Sequence, residues 1–414
     1  MDIEKAIAFF KKNAAGYERL FEEMIKKYRS YGRIAGEITL EILKPEERRA
    51  ISEFFRSVDE PKEPYKMKLV KFEKMLANSV FDGITLKELL DAYAGEELIS
   101  NKQAREDKRS QQQLFFDRLT TAAANANVQA VLAQPPRSYI RLYEEDEHKA
   151  KTILSLVLEA LAALPLHGYE RLPMFAEKIT KDPHAFDPDV WGKYLIDGLK
   201  LLFDAPEEDE SELLVAAGIL KDDIHNFVSA SGLISNFSFW QIASEEGCIL
   251  NVPLREAIKL TFAAPAHGKD VFVVENSGVF SALLDRMKNG PMPPLLCLHG
   301  QPKESSLILL DRLAESGVTI HYAGDFDPES LMICERLWQR YGEHFTLWHM
   351  DRISYDTCLS LVELSTRRLS MLKNVQMPDL HEVKERMLEA GRAGYQERLV
   401  PRLLKDLNNE REVL

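Results

Sequence analysis

Three acidic side chains stand where a chain can do metal-assisted chemistry. Glu275 ends the apolar run DVFVVE, and Asp325 and Asp327 follow the run VTIHYAG in the segment GDFDPES. Two acids at i and i+2 in extended chain point the same way. If these runs lie side by side, three carboxylates share one small space, and they cannot all stay ionised there without a cation. Carboxylate oxygens suit Mg2+ or Mn2+, which keep several waters and bind phosphates. Such an ion lowers the pKa of an attacking water and offsets charge on a phosphodiester. The chemistry indicated is phosphodiester hydrolysis or transesterification. Gly278 and Gly324 flank the acids and let backbone come close to a metal or a phosphate. Asn276 and Gln301 are placed to orient the ligands or touch a phosphate, and Glu329 offers a fourth acid. His299, His321 and His349 lie at or near strand ends, where an imidazole can donate to a phosphate or move a proton. A plainer reading stands beside this one. Asp327 before Pro328 fits a helix N-cap with proline at N1, and Glu329 then complements the helix dipole.

Strands must aim these residues. DVFVVE, PPLLCLHG, VTIHYAG and HFTLWHM read as buried strands, with VFSALLDRMK, KESSLILLDRLAESG and PESLMICERLWQRYG as helices between them. This βαβαβαβ order predicts a parallel sheet with right-handed crossovers. In such sheets the functional crevice lies at the carboxyl ends of the strands. The expected class is therefore an α/β C-terminal domain behind a mainly helical N-terminal region. A haloacid-type phosphatase fits less well, because its Asp-x-Asp belongs on the first strand. A response-regulator receiver would carry its paired acids there too.

The first 224 residues show apolar spacings of three and four, as in IAFFKKNAAGYERLFEEMIKKY and AKTILSLVLEALAAL, and read as helices. GEITLEIL is an expected strand, and residues 101–134 read as one long helix ended by Pro135-Pro136. The run DAPEEDESE at 204–212 reads as a solvated linker. Residues 225–265 suggest a helix-turn-helix or winged-helix element, with Ala243 facing the second helix, Gly247 in the turn and LREAIKL following. Residues 266–372 form the α/β domain, and 373–414 a helical tail whose amphipathic stretch packs on that domain or mediates a homodimer.

The chain has 414 residues and a net charge of −13, which argues against binding DNA by global attraction. Yet residues 101–141 hold seven Lys/Arg against three acids. Lys102, Arg105, Lys108 and Arg109 are the candidates for phosphate contact, and a solvated helix face is the alternative. No apolar run approaches a membrane span, and the N-terminus lacks the pattern of a secretory signal. The four cysteines make no C-x-x-C pair, so reduced thiols and a cytoplasmic location are expected.

VFVVENSGVF paired with HYAGDFDPESL, one βα unit apart, resembles the Toprim domain of topoisomerases, primases and several nucleases. The D-x-D-P pattern is similar to the A subunit of topoisomerase VI. E-N, then Gly300-Gln301-Pro302, then Y-x-G-D-F-D is more similar still to the JetD family, nuclease subunits of the Wadjet anti-plasmid system. The match spans roughly residues 270–350. It implies a Toprim fold and metal-dependent cleavage of DNA (closed-circular plasmid in particular), with Glu275, Asp325 and Asp327 holding Mg2+ or Mn2+. It also implies an SMC-type ATPase, a kleisin and a small winged-helix subunit as partners. The rivals are a topoisomerase VI A-like subunit, an RNA-processing nuclease, and a non-catalytic nucleic-acid-binding scaffold. Two positions depart from the topoisomerase pattern. Ser330 stands where that pattern has glycine, and residues 225–266 contain no tyrosine to serve as nucleophile. Tyr169 and Tyr194 lie upstream as the alternatives, and water is the favoured nucleophile.

Overall fold

The computed structural model describes residues 3–56, 61–123, 125–287 and 292–413, and the chain divides into two compact units between Lys151 and Thr152. In the first unit the helices Ile3–Lys12, Ala14–Tyr31, Pro45–Phe55, Leu69–Ala77 and Leu86–Ala94 bury Phe10, Phe21, Phe72 and Leu89 completely in one core. The expected strand in GEITLEIL forms as Glu37–Leu40. It pairs antiparallel with Tyr65–Lys68 and alternates Ile38 and Leu40 inward. Residues 101–134 make two helices rather than one, Asn101–Ala122 and Ala126–Ala133. The cause is Asn125, whose side chain accepts from the backbone N–H groups of Asn127 and Val128 and so caps a new helix.

The second unit is built on a six-stranded sheet. Its strands are β1 (Phe227–Ser231), β2 (Leu250–Pro253), β3 (Asp270–Val274), β4 (Leu295–Cys297), β5 (Thr319–Ala323) and β6 (Phe345–Leu347), in the spatial order β6-β5-β3-β4-β1-β2. Strands β3 to β6 are mutually parallel. They are linked by helices α1 (Ser277–Arg286), α2 (Glu304–Glu315) and α3 (Pro328–Tyr341), as the alternating pattern predicts. Lys288, which that pattern places in the first of these helices, lies outside the described residues. Val271, Val273, Val274, Leu295, Leu296 and Ile320 are all fully buried, the near-continuous apolar signature of strands covered on both faces.

The sheet is mixed, not purely parallel. Strands β1 and β2 run antiparallel to each other, and β1 pairs antiparallel with β4. They come from residues 225–265, where a helix-turn-helix or winged helix was expected. The helix Ser238–Glu245 is there and Gly247 turns at a φ of 73°, but LREAIKL yields only the single turn Leu254–Ala257. Buried Val228, Ala230 and Val252 are what commit the flanking segments to the sheet instead. The acidic run at 204–212 is likewise no simple linker. Asp209 caps the helix Glu210–Ala216, and Glu212 pairs with Arg340 at 2.7 Å.

Beyond β6 come α4 (Arg352–Cys358), β7 (Leu359–Glu363), α5 (Thr366–Met371), β8 (Arg392–Gly394) and α6 (Val400–Val413). The stretch read as a helical tail belongs to the body of the domain. Val383, Met387, Leu399, Leu403 and Leu407 enter the same core as the sheet. β7 and β8 form an antiparallel pair of their own. No helix among the described residues is long and apolar enough to cross a membrane.

Candidate functional site

Strands β3 and β5 are neighbours, with Val274 opposite Ala323 as the last pair of their ladder. The next residues, Glu275 and Gly324, therefore leave the sheet together. Glu275 is fixed through its backbone, its N–H donating to Ala323 and its carbonyl accepting from Gly300 at 3.1 Å. Its carboxylate accepts from the hydroxyl of Tyr322, which is wholly buried, at 3.1 Å. Burial pushes the Glu275 carboxyl up, the nearby Asp327 charge adds to the effect, and the hydrogen bond from Tyr322 works against it.

The segment Asp325-Phe326-Asp327 is extended, and its middle residue locks it. Phe326 is fully buried, and its backbone exchanges two 2.9 Å hydrogen bonds with Gly394 of β8. With Phe326 pointing inward, Asp325 and Asp327 share the opposite side. Asp325 accepts a 2.8 Å hydrogen bond from the backbone N–H of Gln396. Its pKa is nevertheless pushed up to about 6, mainly by burial and further by Glu275, Glu397 and Asp327. Asp327 caps α3 as the plainer reading has it, with Oδ1 accepting from Ser330 N–H at 2.8 Å. Its Oδ2 is engaged separately by Arg368, at 2.8 Å.

Gly324 is required by what crowds it. A Cβ there would lie 2.3 Å from Ser330 Oγ, 2.7 Å from the Tyr322 hydroxyl and 2.8 Å from Glu275 Oε2. Ser330, the departure from the topoisomerase pattern, thus fills space that Gly324 leaves open. Asn276 caps α1 through Gly278 N–H at 2.8 Å, and its amide donates to Glu397 at 3.0 Å. Gly278 meets only that cap, and Gln301 stands exposed just past β4. Glu329 is bound by Arg368, whose Nε donates at 2.8 and 3.0 Å, and this holds its carboxyl below the usual range.

The three histidines separate. His299, just past β4, sits at a φ of 59° with its ring against Phe227 and its Nε2 2.8 Å from Ser229 Oγ, toward β1, and burial lowers its pKa. His349, past β6, contacts Asp406 at 2.8 Å. His321 lies within β5 and contacts Asp270 at 2.7 Å, away from the carboxyl edge. Lys102, Arg105, Lys108 and Arg109 are exposed on the first turns of the Asn101–Ala122 helix in the first unit. Tyr169 is exposed, and Tyr194 is buried on the helix Lys193–Leu202. Cys297, Cys334 and Cys358 are buried free thiols, while Cys248 is exposed.

The donor set fits a hard divalent cation: carboxylates at one edge, a backbone without Cβ between them, and an aspartate whose charge is poorly compensated. Among the described residues, however, no three His, Cys, Asp or Glu side chains are already gathered closely enough to hold a metal ion. Arg368, Gln396 and Glu397 were missed from sequence. They come from α5 and from the turn before α6, which carry no motif, and only the fold returns them to β5.

Residues 34–235 match the family model described as "Protein of unknown function N-terminus (DUF3323)". Residues 250–407 match "Protein of unknown function C-terminus (DUF2399)". The second match contains β2 through the sheet, all of the acids above, and Arg368, Gln396 and Glu397. The two models together are the signature pair of JetD/Wadjet-type proteins. Among curated proteins, none matches the chain.

Proposed function

We propose that this chain is a metal-dependent DNA endonuclease subunit of the JetD type, with a Toprim fold in its C-terminal unit. It cleaves closed-circular plasmid DNA by phosphodiester hydrolysis, together with an SMC-type ATPase, a kleisin and a small winged-helix subunit. The observation that carries this reading is the arrival of Glu275, Asp325 and Asp327 at one edge of the sheet, on neighbouring strands. The paired family models support the same assignment.

Glu275, Asp325 and Asp327 would hold Mg2+ or Mn2+, which when bound supplies an acidified water and charge neutralisation at the phosphate. Tyr322 orients Glu275 by donating to its carboxylate. The backbone of Gln396 does the same for Asp325, and the cap to Ser330 does so for Asp327. Gly324, having no Cβ, leaves room beside Glu275 for the side chains of Ser330 and Tyr322. Tyr194 is buried, which counts against it as a nucleophile, and water fits better.

The test is the chemistry of the cut ends. Supercoiled plasmid is incubated with the protein and Mn2+, alone and with its ATPase partners, and the products are denatured and extracted. Free 5′ and 3′ ends fit hydrolysis. DNA ends covalently attached to tyrosine would overturn it in favour of a topoisomerase-like subunit.

A further inference from the structure

Arg368 makes the most elaborate polar contact at the acidic edge, and the function proposed above leaves it without a role. Its guanidinium divides between two carboxylates of the D-F-D-P-E segment. Nε and Nη2 grip Glu329, and Nη2 also donates to Asp327 Oδ2 at 2.8 Å. α5 carries Arg368 to this place. Ser365 caps that helix by accepting from Arg368 N–H at 3.3 Å, which fixes the backbone from which the side chain reaches. The pair is only part-exposed, with 34% of the Arg368 side chain and 24% of Asp327 open to solvent.

A guanidinium cannot shed its charge at any accessible pH. Wherever it stands it is a permanent positive group, and here it stands on one of the three acids that would ligate a cation. Asp327 is committed on both oxygens, one to the α3 cap and one to Arg368.

We propose that Arg368 is a built-in counter-ion that holds the place of the divalent cation at Asp327, so that the cation binds only by displacing it. Glu329 is its parking place. Because Glu329 holds both Nε and Nη2 independently of Asp327, the arginine releases Asp327 without leaving the site. The device sets cation affinity below what the carboxylates alone would give. It rests on the reading that Asp327 is a cation ligand.

The experiment titrates the full chain with Mn2+ and reads free Mn2+ by electron paramagnetic resonance, with no DNA and no turnover involved. Wild type is compared with Arg368→Ala, Arg368→Gln, Arg368→Lys and Glu275→Gln. Both neutral variants are expected to bind Mn2+ about tenfold more tightly than wild type, as loss of a competing charge at contact distance implies. Arg368→Lys stays near wild type. Urea denaturation without metal identifies any variant that fails to fold, and either neutral variant alone suffices. Unchanged or weaker Mn2+ binding in a folded neutral variant overturns the displacement, and the metal centre itself stands if Glu275→Gln has lost binding. Should Glu275→Gln bind like wild type, the cation is not at this centre and both readings fall.

Discussion

At the scale of single residues, the acidic edge is a place where unfavourable charge is stored. Asp325 is raised from 3.8 to about 6 by burial and by Glu275, Glu397 and Asp327. A carboxyl raised on folding costs nothing below its unfolded pKa, where it is protonated in both states, and its full cost applies above the folded value. At about 1.4 kcal/mol per pKa unit, that cost is on the order of 1–3 kcal/mol. Asp325→Asn keeps the acceptor for Gln396 N–H and removes the charge. It is expected to raise urea stability of the metal-free protein at pH 8 and to leave it unchanged at pH 3. Gly324→Ala goes the other way. Its methyl meets Ser330, Tyr322 and Glu275 together, so a loss of about 1–3 kcal/mol in urea denaturation is expected. The acids were legible in the sequence because strand-end carboxylates and the D-x-D spacing lie within short runs. Arg368 was not, because nothing local marks an arginine on a six-residue helix that meets Asp327 across 41 positions of chain.

At the scale of elements, one residue serves two structures. Asp327 caps α3 with Oδ1 and meets Arg368 with Oδ2. Asparagine caps as well as aspartate, so Asp327→Asn is expected to stay within about 0.5 kcal/mol of wild type in thermal or urea unfolding while losing Mn2+ binding. Asp327→Ala loses the cap too and is expected to cost about 1 kcal/mol more. Equal Mn2+ binding by Asp327→Asn and wild type would return Asp327 to a purely structural role. The βαβ run from β3 to β6 was readable because four apolar strands alternate with amphipathic helices at short spacing. β1 and β2 were not. Their segments are short, hold Ser and Asn beside Val and Ala, and flank a real helix with a glycine turn, the local marks of a helix-turn-helix. Pairing of β1 with β4, distant in sequence, and of β2 with β1 decided their fate. The C-terminal stretch packs on the domain as its amphipathic spacing suggests, but that spacing does not reveal that its turn at Gln396 braces Asp325.

At the scale of the whole molecule, a chain with net charge −13 must meet a polyanion through a local surface. Lys102, Arg105, Lys108 and Arg109 fall within an arc of about 120° on the Asn101–Ala122 helix, at 100° per residue. That end of the helix buries none of residues 101–113. If the stripe contacts duplex phosphates, Arg105→Glu/Arg109→Glu is expected to lower the salt slope of duplex binding by about one per lost contact. Fluorescence anisotropy at stepped NaCl reads this, and Glu275→Gln should leave the slope unchanged. An unaltered slope in the double variant would mark the stripe as a solvated face. The measurement that bears most directly on the central claim is cleavage of supercoiled plasmid, by the protein alone and with the proposed ATPase partners, in Mg2+ or Mn2+. Wild type is expected to cut only with metal, and Glu275→Ala and Asp325→Ala/Asp327→Ala are expected not to cut at all. Cutting that survives in both variants would contradict the assignment of the acidic edge as the catalytic centre.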